Sequence, residues 1–536
     1  VRADWQRRNE DGRTRKYNAA VIASDGAWVR NGVLDGWIPK TNLPKYRIFD
    51  DARHFTSATI LLEEMRKANR GDHLWQLLQP FSTTINGQKR KLGLIICEDY
   101  WEDDYLSKIS DIHKIHGTDL TIDFSNSPWT AEKWHARDTM LKRRALNSRS
   151  PILYVNIVGL QNNAKNLVWF DGASEFRDES GVRRWSMPQN LEGMHIFNPA
   201  HALHDDRQWL TGITENSAMT REAIASFYEG YGRVVFGLSG GIDSAVSAAE
   251  HVEALGAERV LCINMPMPFN SQKTRDLAAL TARNLGVEYR VVSIEDQYDA
   301  RLRWLAKAGY PVIDPFDKQN IQARIRGQVL ADVSAAEARL IGTKVGFSCN
   351  GNKTELGFNY FTEYGDGAGT ACFFADDYKG QIYDLARNAN VRAGREVIPK
   401  GMIDDLVPSA ELTEAQDAGK GLGDPIKYPY HDKLIRAWIE KRWDPTRILQ
   451  LYDRGSLNEE LGCPAGTVQK YFPTTKAFVE NLEWSWFQFS YEGKRHKLPP
   501  TLIKTRRAFG FDRRETIAPA YYTDAYLALK AQLMAS

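Results

Sequence analysis

The 536-residue chain carries 70 Lys and Arg against 68 Asp and Glu, a formal net charge of +2, with 43% hydrophobic and 26% charged residues. So even a balance excludes a dedicated nucleic-acid or membrane-surface binder, which needs a strong basic excess, and the length calls for two or three cores. No apolar run approaches the roughly 18 residues a membrane helix needs, and no signal pattern opens the sequence.

The five cysteines, Cys97, Cys262, Cys349, Cys372 and Cys463, are odd in number and lack CxxC spacing. Neither a disulfide framework nor a zinc ribbon is expected, and a reducing cytoplasm is the default location. The sequence begins at Val1, with a polar stretch to Lys16, and a natural N-terminus is expected upstream of it.

In the first half, Tyr17–Ser24 reads as a strand. Leu92–Ile96, Asp119–Phe124 and Pro151–Val158 are apolar runs typical of buried strands. The polar, basic segment Ala131–Ser148 reads as an amphipathic helix, so this half is mixed α/β. Periodicity fades over Phe197–Thr214, where a domain boundary is expected.

A regular alternation follows: strand Arg233–Leu238, helix Asp243–Leu255 stopped by Gly256, strand Val260–Met265, helix Arg275–Leu285 stopped by Gly286, and strand Val287–Ile294. Alternating β and α with apolar strands predicts a doubly wound parallel sheet, with ligands at the carboxyl ends of its strands.

Ser239-Gly240-Gly241-Ile242-Asp243-Ser244 lies between the first of these strands and its helix. The glycines allow a tight turn and close approach of a ligand, and the helix start favours an anion. Asp243 beside a phosphate cradle makes sense if it binds Mg²⁺. A glycine turn with a helix cap is the bland alternative, and the run is not a Walker A loop.

Leu94-Ile95-Ile96-Cys97-Glu98-Asp99 places a cysteine directly after a buried strand, where a nucleophile can sit on a rigid base. A thiol needs help to ionise near neutral pH, and Lys40 is a candidate cation. From spacing alone a structural cysteine is the better bet.

The Ser239–Ser244 run resembles the ATP loop of pyrophosphatase-type adenylating enzymes. Further runs resemble NAD⁺ synthetases: Asn320–Arg326 (NIQARIR), Gly351–Glu355 with Tyr360–Asp366, Pro408–Leu412 (PSAEL), and Arg507–Gly510 with Asp512–Arg514. In the first half, Lys40–Phe55, the ICED run at Cys97, Ser125–Trp129 and Asp171-Gly172 resemble the nitrilase-like glutaminase domain of the glutamine-dependent members.

The resemblance implies an α/β protein: a nitrilase-like α-β-β-α sandwich over 1–200, a linker over 201–215, and a doubly wound, adenine nucleotide alpha hydrolase-like domain over 216–536 with a helical C-terminal extension. It implies ATP-dependent amidation of deamido-NAD⁺ through an adenylate, using ammonia from L-glutamine. Cys97 would attack glutamine, Lys40 would stabilise the oxyanion, and a glutamate would act as base. No acceptable match to that glutamate exists here, Glu10 lying in a polar loop, and it is expected upstream together with the first strands; an inactive glutaminase is the rival reading.

By the same resemblance Tyr46, Glu98, Trp101, Ser127 and Lys133 would contact glutamine. Ser239, Gly240, Gly241, Asp243, Ser244, Met265 and Lys379 would bind ATP, with Asp243 and Glu355 holding Mg²⁺. Arg324, Asn320, Thr362, Asp366 and Glu355 would serve the dinucleotide.

Departures from the family pattern are Asn350 and Gly380, each a threonine elsewhere, Lys133 where some members have arginine, and the loop Gln161–Trp169. The implied partners are small molecules and further copies of the chain in a homo-oligomer, with no nucleic acid and no membrane. A stand-alone amidase, another adenylating amidase and a non-catalytic nucleotide sensor remain as rivals. The first would work without ATP, the second is opposed by the YGD and GNKTE runs, and the third by the presence of Asp243 and Glu355.

Overall fold

The computed structural model describes residues 14–34, 36–46, 49–161, 165–199, 205–268, 270–409, 411–412, 421, 423–491, 497–508 and 521–535. Glu10, Ala410 of the PSAEL run and the Phe509–Arg514 part of the C-terminal run lie outside them. The chain divides into two compact units, Val1–Gln161 with Val168–Thr211, and Asn162–Leu167 with Gly212–Ser536.

The expected strand over Tyr17–Ser24 is broken at Ile22. Its first part, β1 (Ala19–Val21), pairs antiparallel with β2 (Trp37–Pro39), and Ala23–Ser24 turns back on Ala27–Trp28. Asp25 and Gly26 both take positive φ (51° and 76°), the geometry of a two-residue hairpin turn, which ends the strand early.

The main sheet of the first unit consists of β3 (Phe81–Ile85), β4 (Gln88–Ile96), β5 (Leu120–Ser125), β6 (Ile152–Asn156), β7 (Glu175–Arg177) and β8 (Arg183–Ser186), in the order β8-β7-β6-β5-β4-β3. Its centre, β4, β5 and β6, is parallel, and the outer pairs are antiparallel. The parallel strands are the apolar runs of the sequence; the end of β4 is buried on both faces, while β5 and β6 alternate buried with more open positions.

Ala20, Trp37 and Ile38 share one core with Leu92, Leu94 and Ile96, so the small β1–β2 ladder lies against the main sheet. Leu61 and Leu62 of helix Ala58–Lys67, Ile112 of Ile109–His116, and Leu141 of α1 (Lys133–Ser148) join that core. Sheet packed on sheet with helices around it is the layering the nitrilase-like reading expects.

The second unit holds a four-stranded parallel sheet of β9 (Tyr231–Gly237), β10 (Val260–Asn264), β11 (Glu288–Val291) and β12 (Lys344–Phe347), ordered β11-β10-β9-β12. Val235, Leu261 and Ile263 pack with Ile325 and Val329 of α5 (Pro315–Ile341). Phe236 points the other way, its ring 4.7 Å from His251 on α3 (Ile242–Leu255), so helices cover both faces. This is the expected doubly wound α/β arrangement.

Both predicted glycine stops hold: Gly256 and Gly286 end α3 and α4 (Gln272–Leu285) at positive φ. α4 starts three residues early because Ser271 caps it, accepting from Thr274 N at 3.2 Å. β11 is shorter than expected, since Ile294 already precedes helix Glu295–Lys307. A helix, α2 (Gly212–Phe227), begins inside the stretch expected to be linker. Asn166–Leu167, from the first half of the sequence, pairs with Thr501–Leu502 of the second unit.

Candidate functional site

In the first unit, β4 ends at Ile96 and Cys97 turns the chain at φ +51°, a left-handed conformation that costs a non-glycine residue about 1 kcal/mol. The turn Cys97–Tyr100 is pinned from both sides. Cys97 N donates to Asp123 Oδ1 of β5 (3.2 Å), and Asp99 Oδ1 accepts from Thr41 N (2.9 Å) and Asn42 N (2.8 Å), which follow Lys40.

Lys40, just beyond β2, is buried and pairs with Asp51 Oδ2 at 2.6 Å. Burial opposes its charge, but Cys97, Asp51 and Asp99 outweigh it and hold the Lys40 ammonium above its usual range. Low-polarity surroundings, then the Asp123 carboxylate, push the Cys97 thiol up to about 11, against the pull of Lys40 and Lys133. The resting thiol is therefore protonated at neutral pH.

Glu98 accepts from Tyr46 Oη and Tyr105 Oη, each at 3.0 Å, and burial raises its pKa. Lys133 starts α1, donates to Pro128 O (2.9 Å) and stands 5.9 Å from the Trp101 ring centroid. Ser127 N donates to Asn156 Oδ1 (2.9 Å), while its hydroxyl, like Asn42 Nδ2 and Thr130 Oγ1, is buried without a partner among the described residues. Buried polar groups left open in this way suit a small polar ligand.

In the second unit, Gly240 takes φ +92°, and a Cβ there would meet Thr274 O at 2.1 Å, so only glycine fits the turn between β9 and α3. Ser239 Oγ accepts from Gly241 N (3.2 Å) and contacts Ser244 Oγ (3.2 Å). Asn352 caps α6 (Lys353–Gly357) through Thr354 N and Glu355 N, and its Nδ2 donates to Asp243 Oδ1 at 2.8 Å.

Lys379, at the start of α7 (Lys379–Ala393), bonds Asp243 Oδ2 and Glu355 Oε1, the latter at 3.0 Å. Burial, and the neighbouring Asp243 carboxylate against the Lys379 charge, leave Glu355 raised to about 7. Among the described residues no group of three or more His, Cys, Asp or Glu could hold a metal by itself.

Met265 lies one residue past β10, its carbonyl accepting from Arg326 Nε at 3.2 Å. Thr362 Oγ1 donates to Asn320 Oδ1 (2.8 Å) and Thr362 N to Asp366 Oδ1 (2.8 Å), which ties three of the proposed dinucleotide residues together. Arg324 is exposed on α5.

A family model described as NAD synthase matches residues 218–459. A glutamine-dependent NAD(+) synthetase from Rhodobacter capsulatus is 30% identical over 518 residues, covering 94% of this chain and 81% of the relative. The chain belongs to the glutamine-dependent NAD(+) synthetases. The Xanthomonas campestris pv. campestris relative is 28% identical over 514 residues, covering 94% and 81%.

A solved glutamine-dependent NAD+ synthetase from Acinetobacter baumannii, in complex with ADP, matches with TM-score 0.62 and 25% identity over 96% of this chain and 84% of that one. The synthetase from Cytophaga hutchinsonii, at 17% identity and TM-score 0.67 over 96% and 84%, shares the fold.

Two of the departures from the family pattern, Asn350 and Gly380, make hydrogen bonds of their own. Asn350 Nδ2 reaches Gly237 O at 3.4 Å, and Gly380 N donates to Asp432 Oδ2 at 2.7 Å. Three acids to which the sequence reading gave no role are Asp51, Asp99 and Asp123. Asp123 had a signal: Thr121, Asp123 and Ser125 alternate on the buried face of β5, an unusual place for three polar residues.

Proposed function

We propose that the first unit is the glutaminase, working through Cys97, and the second the ligase, working at the Ser239–Ser244 turn. As a member of this family, the protein amidates nicotinic acid adenine dinucleotide to NAD⁺ with ATP, through an adenylate, taking ammonia from L-glutamine.

Cys97 attacks the glutamine amide carbon to form a thioester and release ammonia, and the buried Lys40 ammonium faces the developing oxyanion. Because the thiol is protonated at rest, a base must take its proton, a role the family resemblance gives to a glutamate preceding Lys40. Among the described residues before Lys40 the one acid is Asp25, at the tip of a hairpin. Tyr46, Glu98, Trp101, Ser127 and Lys133 surround the amino-acid part of glutamine.

In the second unit, Ser239, Gly240, Gly241 and Ser244 cradle phosphate at the α3 N-terminus, and Lys379 neutralises it. Asp243 and Glu355 reach one ammonium, so their spacing suits a single cation. Two carboxylates leave coordination places for phosphate oxygens, which fits Mg²⁺ brought with ATP. Bound there, the ion would offset phosphate charge. Met265 packs at the adenine, and Asn320, Arg324, Thr362 and Asp366 hold the dinucleotide. We further read the protein as a cytoplasmic homo-oligomer, a reading supported by family resemblance and unpaired cysteines.

The observation that carries this reading is the convergence of Asp243, Glu355 and Lys379 beside a turn that only glycine can make. The test is NAD⁺ formation from ATP and the deamido dinucleotide with glutamine or ammonium as donor. Cys97→Ala should abolish glutamine use and spare ammonium use; equal loss of both would refute the division of labour.

A further inference from the structure

Asp123 lies in the middle of the parallel sheet, fully buried, opposite Ile95 of β4 and Tyr154 of β6. Its Oδ1 is well used, accepting from Cys97 N (3.2 Å) and Ser125 Oγ (2.8 Å). Its Oδ2 is buried and has no hydrogen-bond partner among the described residues. An ionised carboxylate with one oxygen unpaired in such a place is costly, and a proton on Oδ2 removes the charge.

The surrounding charged and titratable groups do not supply a counter-ion. Cys97 and Asp99, from the turn after β4, are themselves acids, and Asp99 raises Asp123 further. Tyr100 and Tyr154 face it as neutral phenols, held above their usual range by burial. Lys40 is a cation that lowers it, but that ammonium is already paired with Asp51 at 2.6 Å, and Arg137, over the Tyr154 ring, is paired with Asp171. Burial pushes Asp123 up to about 7, in line with this geometry.

We propose that Asp123 is a positioning residue for the Cys97 nucleophile, which it serves only while its carboxyl is protonated. In that form Oδ1 holds the Cys97 amide and so fixes the strained turn that presents the thiol. Once Oδ2 loses its proton, a negative charge stands beneath the sulfur and opposes the thiolate. Glutamine use would then be limited at alkaline pH by a residue that never touches glutamine. The inference rests on the glutaminase reading of Cys97.

The test is the rate of Cys97 alkylation by iodoacetamide in the full chain, measured from pH 6 to 10. Alkylation follows the thiolate and needs neither glutamine turnover nor the catalytic base. Asp123→Asn keeps an oxygen for the Cys97 amide but cannot ionise. It should give roughly tenfold more thiolate at pH 8 to 9, a shift of about one pH unit in the profile. Ser125→Ala removes a donor to Oδ1 while keeping the acid, and should move the alkaline break in glutamine-dependent activity to higher pH.

An Asp123→Asn profile that coincides with the parent's, or moves to higher pH, overturns the proposal. If Asp123→Asn does not fold, the Ser125→Ala profile decides, and an unmoved break counts against it. Failure of the glutaminase reading is recognised separately, by Cys97→Ala retaining glutamine use.

Discussion

Lys379 Nζ bonds both Asp243 Oδ2 and Glu355 Oε1, so one buried ammonium separates two carboxylates that come from the first turns of different helices, α3 and α6. Removing the ammonium leaves two like charges facing one another. Such a loss commonly costs about 3–5 kcal/mol when the pair is buried, and less here because both acids keep some solvent contact. Lys379→Met should lower the thermal stability of the second unit and abolish pyrophosphate release. Mg²⁺ without ATP should restore part of the stability, since a divalent cation replaces the lost charge. A thermal melt of the variant that ignores Mg²⁺ would argue against Asp243 and Glu355 as its ligands.

Gly240 offers a test of the turn rather than of charge. A methyl group there meets Thr274 O at 2.1 Å, at a φ of +92° that a side chain resists. Gly240→Ala should reduce NAD⁺ formation with glutamine and with ammonium alike, because both donors depend on adenylation. The expected loss is about a hundredfold or more, with a backbone cost of roughly 1–3 kcal/mol. Selective loss of the glutamine reaction would mean that the turn serves the other half of the chemistry.

The Lys40–Asp51 pair predicts the opposite selectivity. Asp51→Asn frees the ammonium to move within its pocket and removes one of the charges that hold it protonated. Glutamine-dependent turnover should fall about a hundredfold, the usual cost of disturbing an oxyanion stabiliser, while ammonium-dependent synthesis stays near the parent's. Steady-state assays with the two donors separate these outcomes.

What could be read ahead of the structure was what lies close together in the chain. The strands β9, β10 and β11 and the stops at Gly256 and Gly286 are local signals, carried by apolar runs and by backbone that favours glycine. The turns at Cys97 and Ser239 were legible for the same reason. The Lys40–Asp51 pair was not, because its partners stand 11 residues apart with no local pattern that joins them, and neither was the pairing of Asn166–Leu167 with Thr501–Leu502, which no nearby residue announces. The fading periodicity over Phe197–Thr214 also hid the start of a helix at Gly212, inside the stretch expected to be linker.

Arg324 and Arg326 stand two residues apart on α5 and should behave differently. Arg324 is exposed, so Arg324→Ala should leave the melting temperature unchanged and raise KM for the dinucleotide. Arg326 is partly buried, bonds Met265 O, and has its pKa pushed down to about 10 by burial. Arg326→Ala should destabilise the second unit by about 1–3 kcal/mol, the cost of leaving a carbonyl without its donor. Thermal melts and substrate titrations on both variants check the pair.

Asp123 also predicts a pH dependence of stability, with a definite sign. Its folded pKa is raised from 3.8 to about 7, so between those values the folded form holds a proton that the unfolded form has released. Stability therefore falls as pH rises through this window, by at most about 1.4 kcal/mol per pH unit, and the loss is complete above about pH 7. Asp123→Asn lacks this loss. It should be more stable than the parent at pH 8, with the difference shrinking steadily toward pH 4. Urea unfolding of the first unit at pH 5, 6.5 and 8 measures the trend. A stability difference that does not change with pH would place the Asp123 pKa near its ordinary value, and would leave Oδ2 ionised, buried and in need of a cation.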